Sequence, residues 1–572
     1  MKARRHGQIR TDTDNELRQT EVHSVNHEER SRFALFFSSY VSHPSSLSLL
    51  SVLALAAFVI IALLPICVLL LQSVWTDSGF SFRAYASVLA DARQWQLLRN
   101  TLGIALGTAI VAALLGAPMG CAIEYFRVPT RKALAYALAI PLLIPPYINA
   151  IVWIDALGLK GILLPRADGA PSESLFLYSA AGVVFVLALS YFPIVALTTA
   201  SALRRYDHRL EDPARLAAGR VRVFCNITLP LVVPSVLSGT LFVFVLALVE
   251  FATPSLLQVN VYAVEIYSRF STTYDSAEAM AQAVPLVGCG VLIVTGWFLY
   301  LRPRQGRLSG HRRTAEPRPA SRASVLAAMA CWLLIGLSSV LPLTLLFARS
   351  WPMSSYAEVW RTAHEEIASS LLLAALSATV LTGLAAATAY LAHLRRPTAR
   401  LYALSLLPFL VSGPLVGIGL ILIWNHAGIR AWVYDTPAIL VLACAARFIF
   451  FAHYALYATV RAIPPRMEEA AAVCGVPWWR QATGIVMPLA APALIGIWGL
   501  SFVFSLRELD AAVLVAPPGW NPLSVRLFSL MHYGPSRLVA ALSVITVFLV
   551  LAGAGVTALA YAKTKRGIDV RR

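Results

Sequence analysis

Twelve stretches of mostly apolar residues run through this 572-residue chain, each long enough to cross a bilayer. They lie near 48–73, 98–123, 133–157, 178–200, 232–255, 282–301, 325–348, 367–391, 401–424, 437–460, 489–506 and 538–562. A helix needs about 20 residues to cross the hydrocarbon layer. Inside that layer a backbone amide or carbonyl has no water to bond, so an apolar crossing of this length must be helical. The expected fold is all-α, with about 12 transmembrane helices. Composition agrees: 58% of the residues are hydrophobic and 13% charged, outside the range of soluble domains. The first stretch is too long for the apolar region of a signal peptide and reads as a retained anchor.

The net charge of +18 raises the question of nucleic acid. The charges sit in the wrong places for it. With the N-terminus cytoplasmic, Lys and Arg crowd the loops on that side: Arg127, Arg131 and Lys132 in one, Arg395, Arg396 and Arg400 in its equivalent. This is the bias that orients membrane proteins, and no nucleic-acid partner is expected. The seven cysteines are scattered, without a CxxC pair, and most lie in the apolar stretches. They suit packing rather than metal or redox chemistry. His23 and His27 in the polar tail lack further ligands, so no metal site is expected. No GxxxxGK[ST] loop occurs, and neither does the dipeptide Gly-Lys. The chain has no phosphate-binding loop of its own. No cofactor is expected, and no constellation of nucleophile, acid and base suggests an enzyme.

Punctuation divides the chain into a polar tail, 1–45, and a first six-span half, 46–301. A basic Pro/Gly/Ser-rich linker, 302–324, leads to a second half, 325–563, and a basic end, 564–572. The N-terminal tail has the composition of a disordered segment. An even number of spans per half returns the chain to the same side, so the halves are expected to be parallel six-helix repeats with both termini cytoplasmic. Pro141 and Pro408 stand in the third span of each half. Helix breakers there suit either a local opening toward a cavity or a packing kink.

Adding 258 to residues 211–230 superimposes them on 469–488 without a gap: Glu211 falls on Glu469, Ala214 on Ala472, Arg222 on Arg480 and Pro230 on Pro488. The register continues through Phe244/Phe502 and Leu248/Leu506 to Glu250/Glu508. In the second copy Glu468 and Glu469 open a short helix, where acidic groups favour the helix dipole. Ala470, Ala471 and Ala472 keep it thin, and Gly475 permits a sharp exit. A polar helix repeated once per half, just before a span, suits two docking points for a partner with two matching sockets.

Glu469-Ala470-Ala471, Gly475 four residues on and Pro488 thirteen after that resemble the signature of permease subunits of bacterial ABC importers. The resemblance covers about 46–563. It implies that the repeated helices are coupling helices inserting into grooves of a cytoplasmic ATPase, two copies per permease. It also implies a periplasmic substrate-binding protein and an inner-membrane location among lipid. The second loop matches the pattern. In the first, Asp212 and Pro213 replace the alanines, and Ala217 stands at the Gly position with Gly219 two residues later. Two fused halves, with the text of 445–470 and 507–534, are similar to ferric-iron importer permeases. Fused thiamine and 2-aminoethylphosphonate permeases share much of this pattern, so those substrates remain alternatives.

Charged groups in or near the spans complete the candidates. Glu250 and Glu508 stand at equivalent helix ends, about 27 Å beyond the cytoplasmic start at 1.5 Å per residue. Arg507 and Asp510 flank Glu508. They suit either an acidic outer gate for a cation or an interfacial salt bridge. Arg447 and His453 lie inside a span, where Arg must face protein or water, and an ion pair is expected. An ion-coupled secondary transporter is the rival of another class. It would need ion-coupling acids at mid-membrane, and few are present.

Overall fold

The computed structural model describes residues 45–76, 79–126, 128–158, 176–205, 212–273, 276–300, 322–395 and 398–571. The N-terminal tail with its two histidines, most of the linker, Arg127 and Glu211 lie outside the described residues.

Among the described residues ten helices are long and apolar enough to cross a membrane, or up to 12 crossings if each of two bent helix pairs is one span. The first half contributes Val52–Val74, Ala92–Glu124, the bent pair Arg131–Leu143 and Pro146–Leu157, Ala180–Arg205, Phe224–Leu248 and Ala277–Trp297. The second contributes Arg322–Ser350, Ser354–Leu391, the bent pair Leu404–Leu410 and Gly413–Trp424, Ala438–Arg461, Trp478–Leu506 and Ser536–Gly567. Among the described residues the strand pairing is one hairpin of Trp75–Thr76 on Gly79–Phe80.

The repeat seen in the sequence is a repeat of backbone. Helix Arg220–Val223, a π-turn at Phe224–Thr228 and helix Leu229–Leu248 recur as Trp478–Gln481, Ala482–Val486 and Met487–Leu506. Each boundary is displaced by the same 258 residues. The first spans carry π-turns too, at Val59–Leu63 and Gly336–Val340. In all these places a proline is the second residue after the turn: Pro65, Pro230, Pro342 and Pro488. Proline has no N–H and its ring crowds the carbonyl four residues back. The wider π-turn absorbs that misfit inside a continuous span.

The third spans are handled differently. They break by 85° in the first half and 109° in the second. Pro141 and Pro408 lie within the first limbs, and the breaks follow three residues later, at Ile144-Pro145 and Val411-Ser412. These angles far exceed a proline kink within one helix, and each third span is two short helices meeting inside the bundle.

The halves exchange their first spans. Phe58 and Ala62 pack with Leu381, Leu384, Ala445 and Ile449 of the second half. A Cβ at Gly419 would lie 2.6 Å from the Pro65 carbonyl oxygen, so glycine lets the first span approach the second limb of the opposite third span. Conversely, Trp332 of the second half donates to Thr130 Oγ1 of the first at 2.9 Å. Neither half can close its own bundle without the other.

Within the first half, Gly116 and Gly120 let Ala92–Glu124 meet Ala180–Arg205 at backbone distance. Small residues one turn apart serve this purpose where lipid supplies no hydrophobic drive. A Cβ at Gly120 would lie 2.6 Å from the Ala196 carbonyl oxygen and 2.7 Å from Thr199 Cβ. Gly120→Val should therefore destabilise the bundle by about 1–3 kcal/mol. Thermal unfolding of the detergent-purified protein should show a lower midpoint. An unchanged midpoint would mean that the two helices are not held at this distance.

Candidate functional site

The helix of the second repeated loop, Arg466–Val473, carries Glu468 and Glu469 in its first turn. These neighbours face opposite ways. Glu468 is buried and accepts a hydrogen bond from Tyr390 at 3.2 Å, which ties the loop to the end of Ser354–Arg395. Glu469 is exposed, as are Met467, Ala470 and Val473, the last at 88% of its full area. Positions 467, 470 and 473 share one helix face at a spacing of three residues. The outward face is therefore an apolar strip beside a carboxylate, with alanine keeping it low.

Gly475 ends this helix in the left-handed conformation, φ 74°. Its N–H donates to Ala472 O at 2.9 Å, and Val476 N–H donates to Ala471 O at 3.1 Å. This is the paired closure that a glycine after the last turn permits. Gln481 Nε2 then donates to Val476 O at 2.6 Å and fixes the exit.

The first loop forms a shorter helix, Asp212–Ala217. Leu216 on it is 92% exposed, and Ala218 N–H closes its end onto Ala214 O at 2.8 Å. Gly219 does not adopt the positive φ of Gly475. The two loops thus share position but not termination. Glu124 and Arg204, paired at 2.6 Å, hold the neighbouring span ends together.

The charged candidates gather at the broken third spans. Arg447 donates to Glu508 Oε1 at 2.5 Å and to Asp510 Oδ2 at 3.0 Å, with all three side chains largely buried. Glu508 Oε1 also accepts from Ala511 N–H at 2.9 Å. Its first-half counterpart Glu250 accepts from Thr253 N–H at 3.4 Å and Thr253 Oγ1 at 2.9 Å. Each carboxylate therefore caps the short helix that follows it. The resemblance ends there: the other oxygen of Glu250 accepts from the Tyr191 hydroxyl at 3.0 Å, whereas Glu508 pairs with Arg447 through the same Oε1 that accepts the amide. Arg507 turns away from its own half and donates to Leu142 O, in the first half, at 2.5 Å. His453 is buried against Phe58, 6.2 Å between ring centroids.

Beside this cluster an aromatic seam joins the halves. Phe242 of the first half stacks on Phe409 at 5.9 Å and meets Phe451 edge-on at 5.7 Å. Phe409 and Phe451 themselves pack at 4.9 Å.

Three partners were not among the sequence candidates: Tyr390, Tyr191 and the Leu142 carbonyl. Leu142 alone carried a signal. Pro145 and Pro146 follow it, so the amides three and four residues on, its usual partners in a helix, do not exist. Among the described residues no group of three or more His, Cys, Asp or Glu side chains is arranged to hold a metal.

Removing the charge of Arg447 would leave two buried carboxylates without a partner. Arg447→Met should cost about 3–5 kcal/mol. The expected outcome is little folded protein by detergent size exclusion, with recovery when Glu508→Gln and Asp510→Asn are added. Normal folded yield for the single variant would show that these carboxylates do not depend on Arg447.

Comparison with known proteins bears on the whole arrangement. A family model described as "binding-protein-dependent transport system inner membrane component" matches residues 111–307 and 367–566, once in each half. The Fe(3+)-transport system permease protein FbpB 2 of Haemophilus influenzae is 22% identical over 499 residues, covering 85% of this chain and 94% of its own length. The ferric transport system permease protein FbpB of Actinobacillus pleuropneumoniae is 22% identical, covering 82% of this chain and 71% of its own. The molybdenum transport system permease protein ModB of Escherichia coli is 31% identical over 169 residues, which is 29% of this chain and 71% of that protein.

Proposed function

Since the chain belongs to the binding-protein-dependent transport system inner membrane components, matched over both halves, we propose that it is the membrane-spanning permease subunit of an ABC importer. A separate binding protein hands substrate to one mouth. Two copies of a separate ATPase grip the docking helices at Asp212–Ala217 and Arg466–Val473. Their closure rocks the two halves. The observation that carries this reading is the outward face of the second docking helix. Exposed Met467, Ala470, Val473 and Glu469 stand on a helix anchored from behind by Glu468 and Tyr390. An apolar strip of this kind in an aqueous loop marks a protein contact.

In this reading the docking loops, the linker and both chain ends are cytoplasmic, in keeping with the basic loops. The membrane is the bacterial inner membrane. Labelling of Gln481→Cys in intact cells by an impermeant thiol reagent should fail until the membrane is opened. Labelling from outside would overturn the orientation.

The proposed substrate is ferric iron. The relatives that span the fused two-half length and bear a substrate in their names include ferric transport permeases. Among the candidate gate groups Glu250 is the carboxylate held by hydroxyl donors and an amide rather than by Arg. It can meet a cation without first giving up an ion pair. Glu250→Gln should therefore slow uptake of labelled iron with folded yield retained, whereas Glu508→Gln should lower folded yield. A cognate binding protein that takes an oxyanion or thiamine, and not iron, would remove this substrate.

Glu469→Arg combined with Val473→Asp should abolish co-purification of the ATPase and uptake while leaving the permease inserted. Charging a docking face typically costs several kcal/mol. The same treatment of Leu216 should cost less, because the first loop lacks the Gly475-type closure. Equal losses from both loops would remove the asymmetry, and retained ATPase would remove the docking role.

A further inference from the structure

Arg507 is an expensive residue at an unexpected place. Its own half offers it two carboxylates, Glu508 and Asp510, but Arg447 occupies both. Arg507 instead reaches across to the first half and bonds the Leu142 carbonyl at 2.5 Å. It also lies within electrostatic reach of Tyr191, Tyr147 and Glu250, all of the first half.

The acceptor is unusual as well. In a helix the Leu142 carbonyl would bond the amide four residues on, or three in a tighter turn. Those positions are Pro146 and Pro145, and neither has an N–H. A bare carbonyl inside a membrane protein must be satisfied from elsewhere. At the matching place of the second half, Phe409 is followed by Ser412 and Gly413, so the proline pair occurs in the first half alone. The counterpart of Arg507 in the first half, 258 residues earlier, is Val249. The arginine and the proline pair therefore occur once each, on opposite halves.

We propose that Arg507 is the latch between the halves: its guanidinium plugs the carbonyl that Pro145 and Pro146 leave open, and the halves part at the broken third spans only when this bond breaks. The bond is strong because it is charged and sheltered. It is also breakable, since both partners meet water once the seam opens. An arginine on a backbone carbonyl is a lighter lock than an arginine on a carboxylate, which suits a contact that must open in every cycle. The inference rests on the reading that the halves rock apart, and its test needs no knowledge of the substrate.

The test reads opening of the seam directly. Ser412, at the break of the second third span, is fully buried. Ser412→Cys in the full chain in membranes would be exposed to a small thiosulfonate reagent, with labelling of that peptide followed by mass spectrometry. Native Cys444, buried in the same half, reports unfolding in the same sample. Adding Arg507→Gln should raise the labelling rate of the new cysteine about tenfold, the loss expected for a charged hydrogen bond, with Cys444 still protected. Arg507→Lys, which keeps a charged donor, should recover most of the protection. Unchanged labelling in Arg507→Gln would overturn the latch. If Arg507→Gln also exposes Cys444, Arg507→Lys decides: raised labelling of the new cysteine with Cys444 protected would overturn the latch, and protection like the parent's would support it.

Discussion

Within the hydrocarbon layer a backbone carbonyl cannot turn to water for its second partner, and most of this architecture is an answer to that constraint. At four prolines within the spans, Pro65, Pro230, Pro342 and Pro488, a preceding π-turn keeps the ladder running. Where prolines and small residues cluster at mid-span the ladder ends. The chain turns by 85° or 109°, and the groups set free must be met by side chains from other helices. Those breaks therefore collect the polar and charged residues that the rest of the bundle excludes.

The cost of that arrangement explains its asymmetry. Three carboxylates and two arginines, buried or half-buried in one region, would be unstable unless each had a partner. Arg447 serves Glu508 and Asp510, Tyr191 and Thr253 serve Glu250, and Arg507 serves a carbonyl. The two halves, alike in backbone, thus differ in chemistry where they meet: the second carries the arginines and the first the acceptor. A symmetric pair of arginines would have set like charges against each other at the seam.

At the far end of the same helices the halves differ again. The helix of the second repeated loop is closed by Gly475 and anchored by Glu468, while the described residues of the first, Asp212–Ala217, show neither device. The exchanged first spans bind these unequal halves into one body. Phe58 packs in the second half and Trp332 bonds to the first, so the two bundles interlock.

The apolar spans, the repeat of the two halves and the repeated loop helices were legible in the sequence because each is local. Apolar length declares a span, a fixed displacement of 258 residues declares a repeat, and Glu-Ala-Ala with a later Gly declares a thin helix and its end. The third-span breaks were half legible: Pro141 and Pro408 marked the right spans, yet the chain bends three residues further on, just before Pro145-Pro146 in one half and Ser412-Gly413 in the other. Glu250 and Glu508 stood out as equivalents in the repeat. Their partners, Tyr191 and Arg447, lie 59 and 61 residues away on another helix. Tyr390 on Glu468 and Arg507 on Leu142 span 78 and 365 residues. Which of two adjacent acids faces the core, and which of two arginines crosses the seam, depends on the rotation and closeness of packed helices. A sequence states periodicity along one helix, but tertiary packing alone decides which neighbour that face meets.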